Sequence, residues 1–132
     1  MRALIDTDVL IDVGLQRSEW LHEAEAVFKW ADRSGTAGVA WHSLSLIAFL
    51  MKRQAKPFLA DVLERMTVVT TGHAEARAAM RLEMGDFEDA MQVVAALAYD
   101  AEVVVTRNAK HFRYGPIRAE TPESFLRMVT PS

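Results

Sequence analysis

The stretch from residue 86 to 108 constrains the fold of this chain more than any other. It starts with three acids, continues as a segment (87–99) that is apolar on nearly every side except at Gln92, and then enters a run of valines (103–105). A helix that is apolar all round is buried, and a valine run without alternation is typical of a strand covered on both faces. The stretch therefore predicts a central helix that leads into a central parallel strand.

Strands and helices alternate along the rest of the chain. Hydrophobic periodicity and turn residues predict strands at 4–5, 36–41, 67–71, 102–106 and 116–120, and helices at 18–31, 44–53, 57–66, 73–84, 87–99 and 122–129. Ser43 is the predicted N-cap of the helix at 44–53. This alternation predicts an α/β fold with a mainly parallel sheet of four or five strands, and the length predicts one domain over 1–132.

Charge and composition limit the possible functions. The formal net charge is −3 and no run of Lys or Arg stands out, which argues against binding nucleic acid by phosphate neutralisation alone. The chain has no cysteine, which excludes disulfides and thiolate chemistry. We recognise no signal peptide and no segment long enough to cross a bilayer, so a cytoplasmic protein without a membrane partner is expected.

Acidic and polar residues are expected to meet at one edge of the sheet. The helix 87–99 begins where the following strand ends, and Asp6 directly follows the first strand. Ligands of open α/β sheets bind outside the carboxyl ends of the strands. Asp6, the acids at 86–89, Ser43 and the segment 106–108 therefore converge. Close carboxylates repel each other by about 1–4 kcal/mol per pair, and a divalent cation such as Mg²⁺ or Mn²⁺ would relieve that repulsion.

A purely structural interpretation of these acids is also open. Asp86 is a plausible helix N-cap, with Glu88 and Asp89 favoured by the helix dipole. Asp8 and Asp12 are, with Asp6, compatible with loop positions and a cap for the next helix. The histidines His42 and His111 lack metal-ligand spacing and are interpreted as structural or surface residues.

Three segments together resemble a known family. They are "LIDTDVLID" at 4–12, "HSLSLIAFLMKR" at 42–53 and "DFEDAMQVVAALAYDAEVVVTRNAKHF" at 86–112. They resemble the PIN-domain family of metal-dependent ribonucleases, especially the toxin-type (VapC-like) halves of bacterial toxin–antitoxin pairs. The resemblance implies a three-layer sandwich of helices around the sheet.

The resemblance also implies a set of site residues. The family has four acids around one or two Mg²⁺ or Mn²⁺ ions. The first falls on Asp6, the third on Asp89 and the fourth on Asn108, while the second falls on Ala48, which is a departure. Asp86 or Asp8 would then supply the missing charge. The implied catalytic set is Asp6, Asp86, Asp89 and Asn108, the implied metal ligands are Asp6, Asp86 and Asp89, and Ala48→Glu is expected to raise metal affinity.

The implied activity is hydrolysis of RNA phosphodiester bonds by an endoribonuclease. Thr106 is expected to donate a hydrogen bond to a site carboxylate. Arg107 contacts a phosphate or is a solvated charge, and the second is favoured. Ser43 is compatible with substrate binding but is favoured as an N-cap. The implied partners are an RNA substrate, a cognate antitoxin and a second copy in a homodimer, and no role for DNA is expected.

Two alternatives remain at this point. Asp6-Thr7-Asp8 after a first strand is similar to haloacid-dehalogenase-type phosphatases, although Val9-Leu10 replaces the usual Gly-Thr and Lys110 has no matching context. The second alternative is a catalytically weakened domain that binds RNA or protein, because the second acid is missing.

Overall fold

A five-stranded parallel sheet forms the centre of the protein. The computed structural model describes residues 1–113 and 115–130. Its strands are β1 (Ala3–Ile5), β2 (Ala37–Ala40), β3 (Thr67–Val69), β4 (Val103–Val105) and β5 (Arg118–Glu120). They lie in the order β3-β2-β1-β4-β5, and all four neighbouring pairs are parallel. The predicted α/β fold with its mainly parallel sheet is thereby confirmed.

Seven α-helices connect and cover these strands. They are α1 (Thr7–Gly14), α2 (Leu21–Ser34), α3 (Trp41–Met51), α4 (Ala55–Arg65), α5 (His73–Arg81), α6 (Phe87–Ala98) and α7 (Pro122–Val129), with short 3-10 helices at Lys52–Gln54 and Ala109–Phe112. None of the helices in the described part of the chain has the length and apolar character needed to span a membrane.

The central strands are buried on both faces and separate two apolar clusters. Ala3, Ile5, Val103 and Val105 pack into a cluster with α1, α2, α3, α4 and α7. Leu4 and Val104 point the other way and pack against α6. Successive side chains of a strand alternate between the faces of the sheet. A strand that is apolar throughout therefore contributes side chains to both apolar clusters. The result is the three-layer sandwich that the sequence resemblance implies.

The order of the strands places a crevice between β1 and β4. The chain moves outward from β1 through β2 to β3, and then returns to β4 on the other side of β1. Such a reversal leaves an opening at the carboxyl ends of the two strands. The helices α1 and α6 begin beside this opening, with Asp6 and Asp86 as their N-caps.

Several predicted boundaries are wrong, each for a local reason. The helix α1 was not predicted, because its segment 7–14 was interpreted as a loop with a cap. The helix predicted at 18–31 spans Leu21–Ser34 and ends at Gly35, which has a left-handed backbone (φ 67°). The helix predicted to end near Gly85 ends at Arg81. Ser43 is not an N-cap: α3 begins at Trp41 with Ala40 as its cap, and Ser43 is buried inside the helix.

Candidate functional site

Asp6 lies at the carboxyl end of β1 and is almost fully buried, with 5% of its surface exposed. Its Oδ1 accepts a hydrogen bond from the Thr7 backbone N at 2.7 Å, and its Oδ2 accepts one from Thr106 Oγ1 at 2.7 Å. The hydrogen bond predicted for Thr106 is therefore present. Burial, followed by the charges of Asp8 and Glu88, raises the pKa of Asp6 well above its ordinary value. Hydrogen bonds from Thr106 and from the Thr7 backbone oppose that shift.

Asp8 lies in the first turn of α1 and faces the segment after β4. Its Oδ2 accepts hydrogen bonds from Arg107 N at 3.1 Å, Asn108 Nδ2 at 3.2 Å and Thr106 Oγ1 at 3.3 Å. Its Oδ1 is buried and has no hydrogen-bond partner. Burial raises the pKa of Asp8 to about 6, although the charge of Arg107 opposes the shift. An aspartate at position 108 would lack the side-chain N–H that Asn108 donates to Asp8. An asparagine is therefore favoured beside the Asp8 carboxylate.

The acids at the start of α6 form a second group. Asp86 Oδ1 accepts a hydrogen bond from Asp89 N at 3.1 Å, so Asp86 is an N-cap as predicted. Asp86, Glu88 and Asp89 each offer a carboxylate oxygen, and these oxygens lie within 4.8 Å of one another. Within the described residues, this is the one group of three or more potential ligands that meets this distance. Asp6 is not a member.

The environment of Asp89 favours a cation. Burial raises the pKa of Asp89, and the charges of Asp86 and Glu88 add to the shift, while His111 lowers it. His111 Nδ1 lies 3.5 Å from Asp89 Oδ2. The closely spaced carboxylate oxygens of Asp86, Glu88 and Asp89 are donors of the kind that Mg²⁺ or Mn²⁺ prefers. The residues present thus fit the metal that the sequence resemblance implies.

Glu88 connects the two groups of acids, although the predicted ligand set did not include it. Its charge raises the pKa of Asp6, and its oxygen is part of the group with Asp86 and Asp89. Its Oε1 also lies 3.4 Å from His42 Nε2, so His42 is less isolated than its sequence position suggests. The signal for Glu88 was its place among three closely spaced acids.

A buried glutamine lies beneath the carboxylates. Gln92 is fully buried, and its Nε2 lies 3.1 Å from both Thr7 Oγ1 and Ser43 Oγ, and 3.3 Å from both Glu88 Oε1 and His42 Nε2. Thr7 and Ser43 also share a hydrogen bond of 2.7 Å. This network ties α1, α3 and α6 together under the site. It explains why Gln92 interrupts an otherwise apolar helix, and it gives Ser43 a buried hydrogen-bonding position.

The structure does not bring Ala48 to the site. On α3, the residues that face the site are His42 and Ser43, which contact Glu88 and Thr7 respectively. With 3.6 residues per turn, Ala48 lies about 140° around the helix from Ser43, and its side chain is exposed. Leu46 lies about 60° from Ser43 on the same side as His42. By helix geometry, Leu46 lies nearer to this face than Ala48, and the position of the missing second acid stays a prediction.

Arg107 is held by a buried acid and is not a solvated charge. Its Nε donates a hydrogen bond to Asp12 Oδ2 at 2.7 Å, and its guanidinium carbon lies 3.9 Å from the ring centroid of Trp20. Asp12 is fully buried, and its other oxygen lies 3.8 Å from Arg17 Nη1. The solvated-charge interpretation is therefore wrong, and the phosphate contact stays a prediction. The sequence signal for this ion pair was Asp12, an aspartate within an apolar segment.

Comparisons with known proteins agree with this geometry. A family model described as a PIN domain matches residues 2–110. No curated protein matches the sequence. Six chains of solved structures match, and one is the crystal structure of VapBC2 from Rickettsia felis bound to a DNA fragment from their promoter. It has a TM-score of 0.68 and 16% sequence identity, and the match covers 92% of this chain and 98% of that chain. At this identity the likeness shows the fold.

The Arg107–Asp12 pair yields a prediction about stability. Arg107→Ala leaves the Asp12 carboxylate buried without its 2.7 Å partner, and breaking a buried pair in this way costs about 3–5 kcal/mol in the free energy of unfolding. Urea unfolding followed by circular dichroism measures the change. Arg65→Ala is the control, because its ion pairs with Asp32 and Asp61 are long and exposed and are worth less than about 1 kcal/mol. Equal losses in the two variants would contradict this account.

The raised pKa values predict how stability depends on pH in the absence of metal. The folded protein binds the Asp8 proton more tightly than the unfolded chain, so this stabilisation is complete below pH 3.8 and is lost as the pH rises through about 6. Asp6 extends the loss to higher pH. In urea unfolding with EDTA, the free energy of unfolding should fall over this range, and Asp8→Asn should reduce the slope. An unchanged slope in that variant would contradict the assignment.

Proposed function

The chain belongs to the PIN-domain family, and on this premise we propose that it is an endoribonuclease that depends on Mg²⁺ or Mn²⁺ and acts as the toxin of a toxin–antitoxin pair. The observation that carries the proposal is the set of acids at the carboxyl edge of the sheet: Asp6 and Asp8 meet at Thr106, and Glu88, which is grouped with Asp86 and Asp89, raises the pKa of Asp6. Membership of this family also leaves the phosphatase alternative without support.

The carboxylates have distinct roles in the proposed site. Asp6, Asp86 and Asp89 would hold the metal, as the resemblance implies, and Glu88, which is grouped with Asp86 and Asp89, would add a further carboxylate. When bound, the metal polarises a phosphoryl oxygen and lowers the pKa of a water molecule, which favours hydrolysis of a phosphodiester.

Uncharged groups orient these acids. Thr106 fixes the carboxylate plane of Asp6 through its 2.7 Å hydrogen bond, and the same hydroxyl accepts a hydrogen bond from Asn108 N at 3.1 Å. Asn108 is exposed at the rim, where its amide would orient a water or a substrate oxygen. The network around Gln92 keeps Glu88 in place from below. Positioning of this kind limits the reorganisation that the site requires during the reaction.

The proposed partners are an RNA substrate, a cognate antitoxin and a second copy of the chain, in the cytoplasm. The similar Rickettsia felis structure contains VapBC2 bound to promoter DNA, which favours an antitoxin partner here. Because that complex is bound to DNA, the expectation that DNA has no role is too broad for a toxin–antitoxin complex. We keep it only for the substrate of the proposed nuclease. A bound metal would supply the local positive charge that a chain of net charge −3 lacks.

The first test is Mn²⁺-dependent cleavage of a mixed pool of small RNAs. Asp89→Asn and Asp6→Asn should each lower the cleavage rate by about 100-fold or more, because a metal ligand supports several kcal/mol of transition-state stabilisation. Both variants should keep the circular dichroism spectrum of the wild type. Asp61→Asn is the matched control, since the Asp61 side chain is exposed and forms a long, 3.9 Å ion pair with Arg65, and this variant should cleave at the wild-type rate.

Other results would change the proposal in defined ways. Wild-type activity in Asp89→Asn would contradict the site assignment. Mn²⁺ binding without cleavage of the pool would point to a narrow choice of RNA. If the wild type shows no Mn²⁺ binding and no cleavage, the result would favour a domain that binds RNA or protein and catalyses no reaction.

A second prediction concerns the missing acid. Leu46→Glu should raise Mn²⁺ affinity because it adds a carboxylate on the face of α3 that carries His42 and Ser43, whereas Ala48→Glu should leave it unchanged. An added ligand to a metal site is expected to change affinity by about tenfold or more. Isothermal titration with Mn²⁺ measures both variants side by side. A gain in Ala48→Glu alone would restore the original placement of the second acid.

A further inference from the structure

A cleft with two exposed aromatic side chains lies beside the carboxylates. Its volume is about 230 Å³, and it opens between the first turns of α3 and α6. Trp41 and Phe87 line it from these two helices, with 65% and 46% of their surfaces exposed. Large apolar side chains exposed together on a protein surface mark a site of interaction, and neither ring contributes to the two apolar clusters around the sheet.

The cleft is continuous with the proposed metal site. His42 lines the cleft, and its Nε2 also lies 3.4 Å from Glu88 Oε1. Phe87 directly precedes Glu88 at the start of α6. A group bound between Trp41 and Phe87 therefore lies next to the place where a phosphodiester would meet the carboxylates.

The rim of the cleft carries polar groups that a plain apolar interface would not need. Thr71 and Glu75 line its outer side, and Glu75 Oε1 accepts a hydrogen bond from Gly72 N at 2.7 Å. Trp41 also lines a neighbouring hollow with Val68, Thr70 and Thr71. Its ring thus stands between two depressions and is open to flat ligands.

The charge of the protein favours a nucleobase as that ligand. The 15 Lys and Arg residues are outnumbered by 18 Asp and Glu residues and form no run, so the neutralisation of RNA phosphates alone would give weak binding. Stacking on aromatic side chains holds single strands without such charges, and it tolerates any base because every base has a flat π-face. RNA-binding proteins commonly stack unpaired bases on aromatic side chains in this way.

We propose that this cleft binds an unpaired nucleobase of the RNA substrate next to the cleaved bond, with Trp41 as its stacking partner and Phe87 as the opposite wall. The inference rests on the proposed ribonuclease function and adds to it a subsite for one base, formed by Trp41 and Phe87. A base in a duplex cannot enter, because it is already stacked and paired.

The test measures binding separately from cleavage. Fluorescein-labelled single-stranded RNA is titrated with the full chain in EDTA, which prevents metal-dependent cleavage during the measurement, and fluorescence anisotropy gives the dissociation constant for the wild type, Trp41→Ala, Trp41→Phe and Phe49→Ala. Loss of one stacked base weakens binding by about 5- to 150-fold, which is expected for Trp41→Ala, with partial recovery in Trp41→Phe. Phe49 is the control, because it is 73% exposed on the same helix but does not line the cleft.

An RNA that lacks one base provides the matching change in the ligand. The abasic site that weakens binding to the wild type should have no further effect on Trp41→Ala, since both changes remove the same contact. Equal affinity in all variants would overturn the cleft assignment while leaving metal-dependent cleavage intact. A change in sedimentation of Trp41→Ala without a change in RNA affinity would show instead that this surface joins two protein copies. Absence of RNA binding and of cleavage would reject both proposals.

Discussion

The contact on which the site depends is the junction between β1 and β4. These strands pair in parallel from Ala3 with Val103 to Ile5 with Val105, and the Asp6 N–H continues the pairing by donating to Val105 O at 2.9 Å. Thr106, the residue directly after β4, donates a hydrogen bond from its hydroxyl to Asp6. Because both strands are buried on both faces, this register has little freedom to slip. The position of the first acid is therefore fixed by apolar packing well below it.

Two buried acids lie at the N-cap of α1 (Asp6) and inside the same helix (Asp12), and they differ in how their charge is balanced. Asp12 is paired with Arg107, whose guanidinium is in turn covered by Trp20. The pKa of Asp6 is raised mainly by burial and by the charge of Asp8, and hydrogen bonds from Thr106 and Thr7 oppose the shift. A buried carboxylate with a cationic partner stabilises a fold, whereas one without a partner is a feature of functional sites. The same short helix thus carries a structural acid and a site acid.

Much of this architecture follows from the sequence, and the failures have a common cause. The valine run and the apolar helix before it predicted the central strand and helix, and the alternative interpretation of Asp86 as an N-cap is present in the structure. The N-cap role of Ser43 and the solvated charge of Arg107 were wrong because the roles of these residues depend on partners far away in sequence. Ser43 bonds Thr7, and Arg107 bonds Asp12 from 95 positions away. Local propensity cannot report such contacts. Helix α1 was missed because its acids resemble loop residues until their caps and partners are known.

The distance along the chain between the halves of the site has a consequence for biosynthesis. Thr106 and Asp6 are 100 positions apart, as are Asn108 and Asp8. Contacts between such distant segments form late, because closing a long loop must precede them. A ribosome that has reached only Arg81, at the end of α5, carries Asp6 and Asp8 without the acids of α6 or the hydroxyl of Thr106. An unfinished chain therefore lacks the assembled cluster, and the site forms only after translation has passed Asn108.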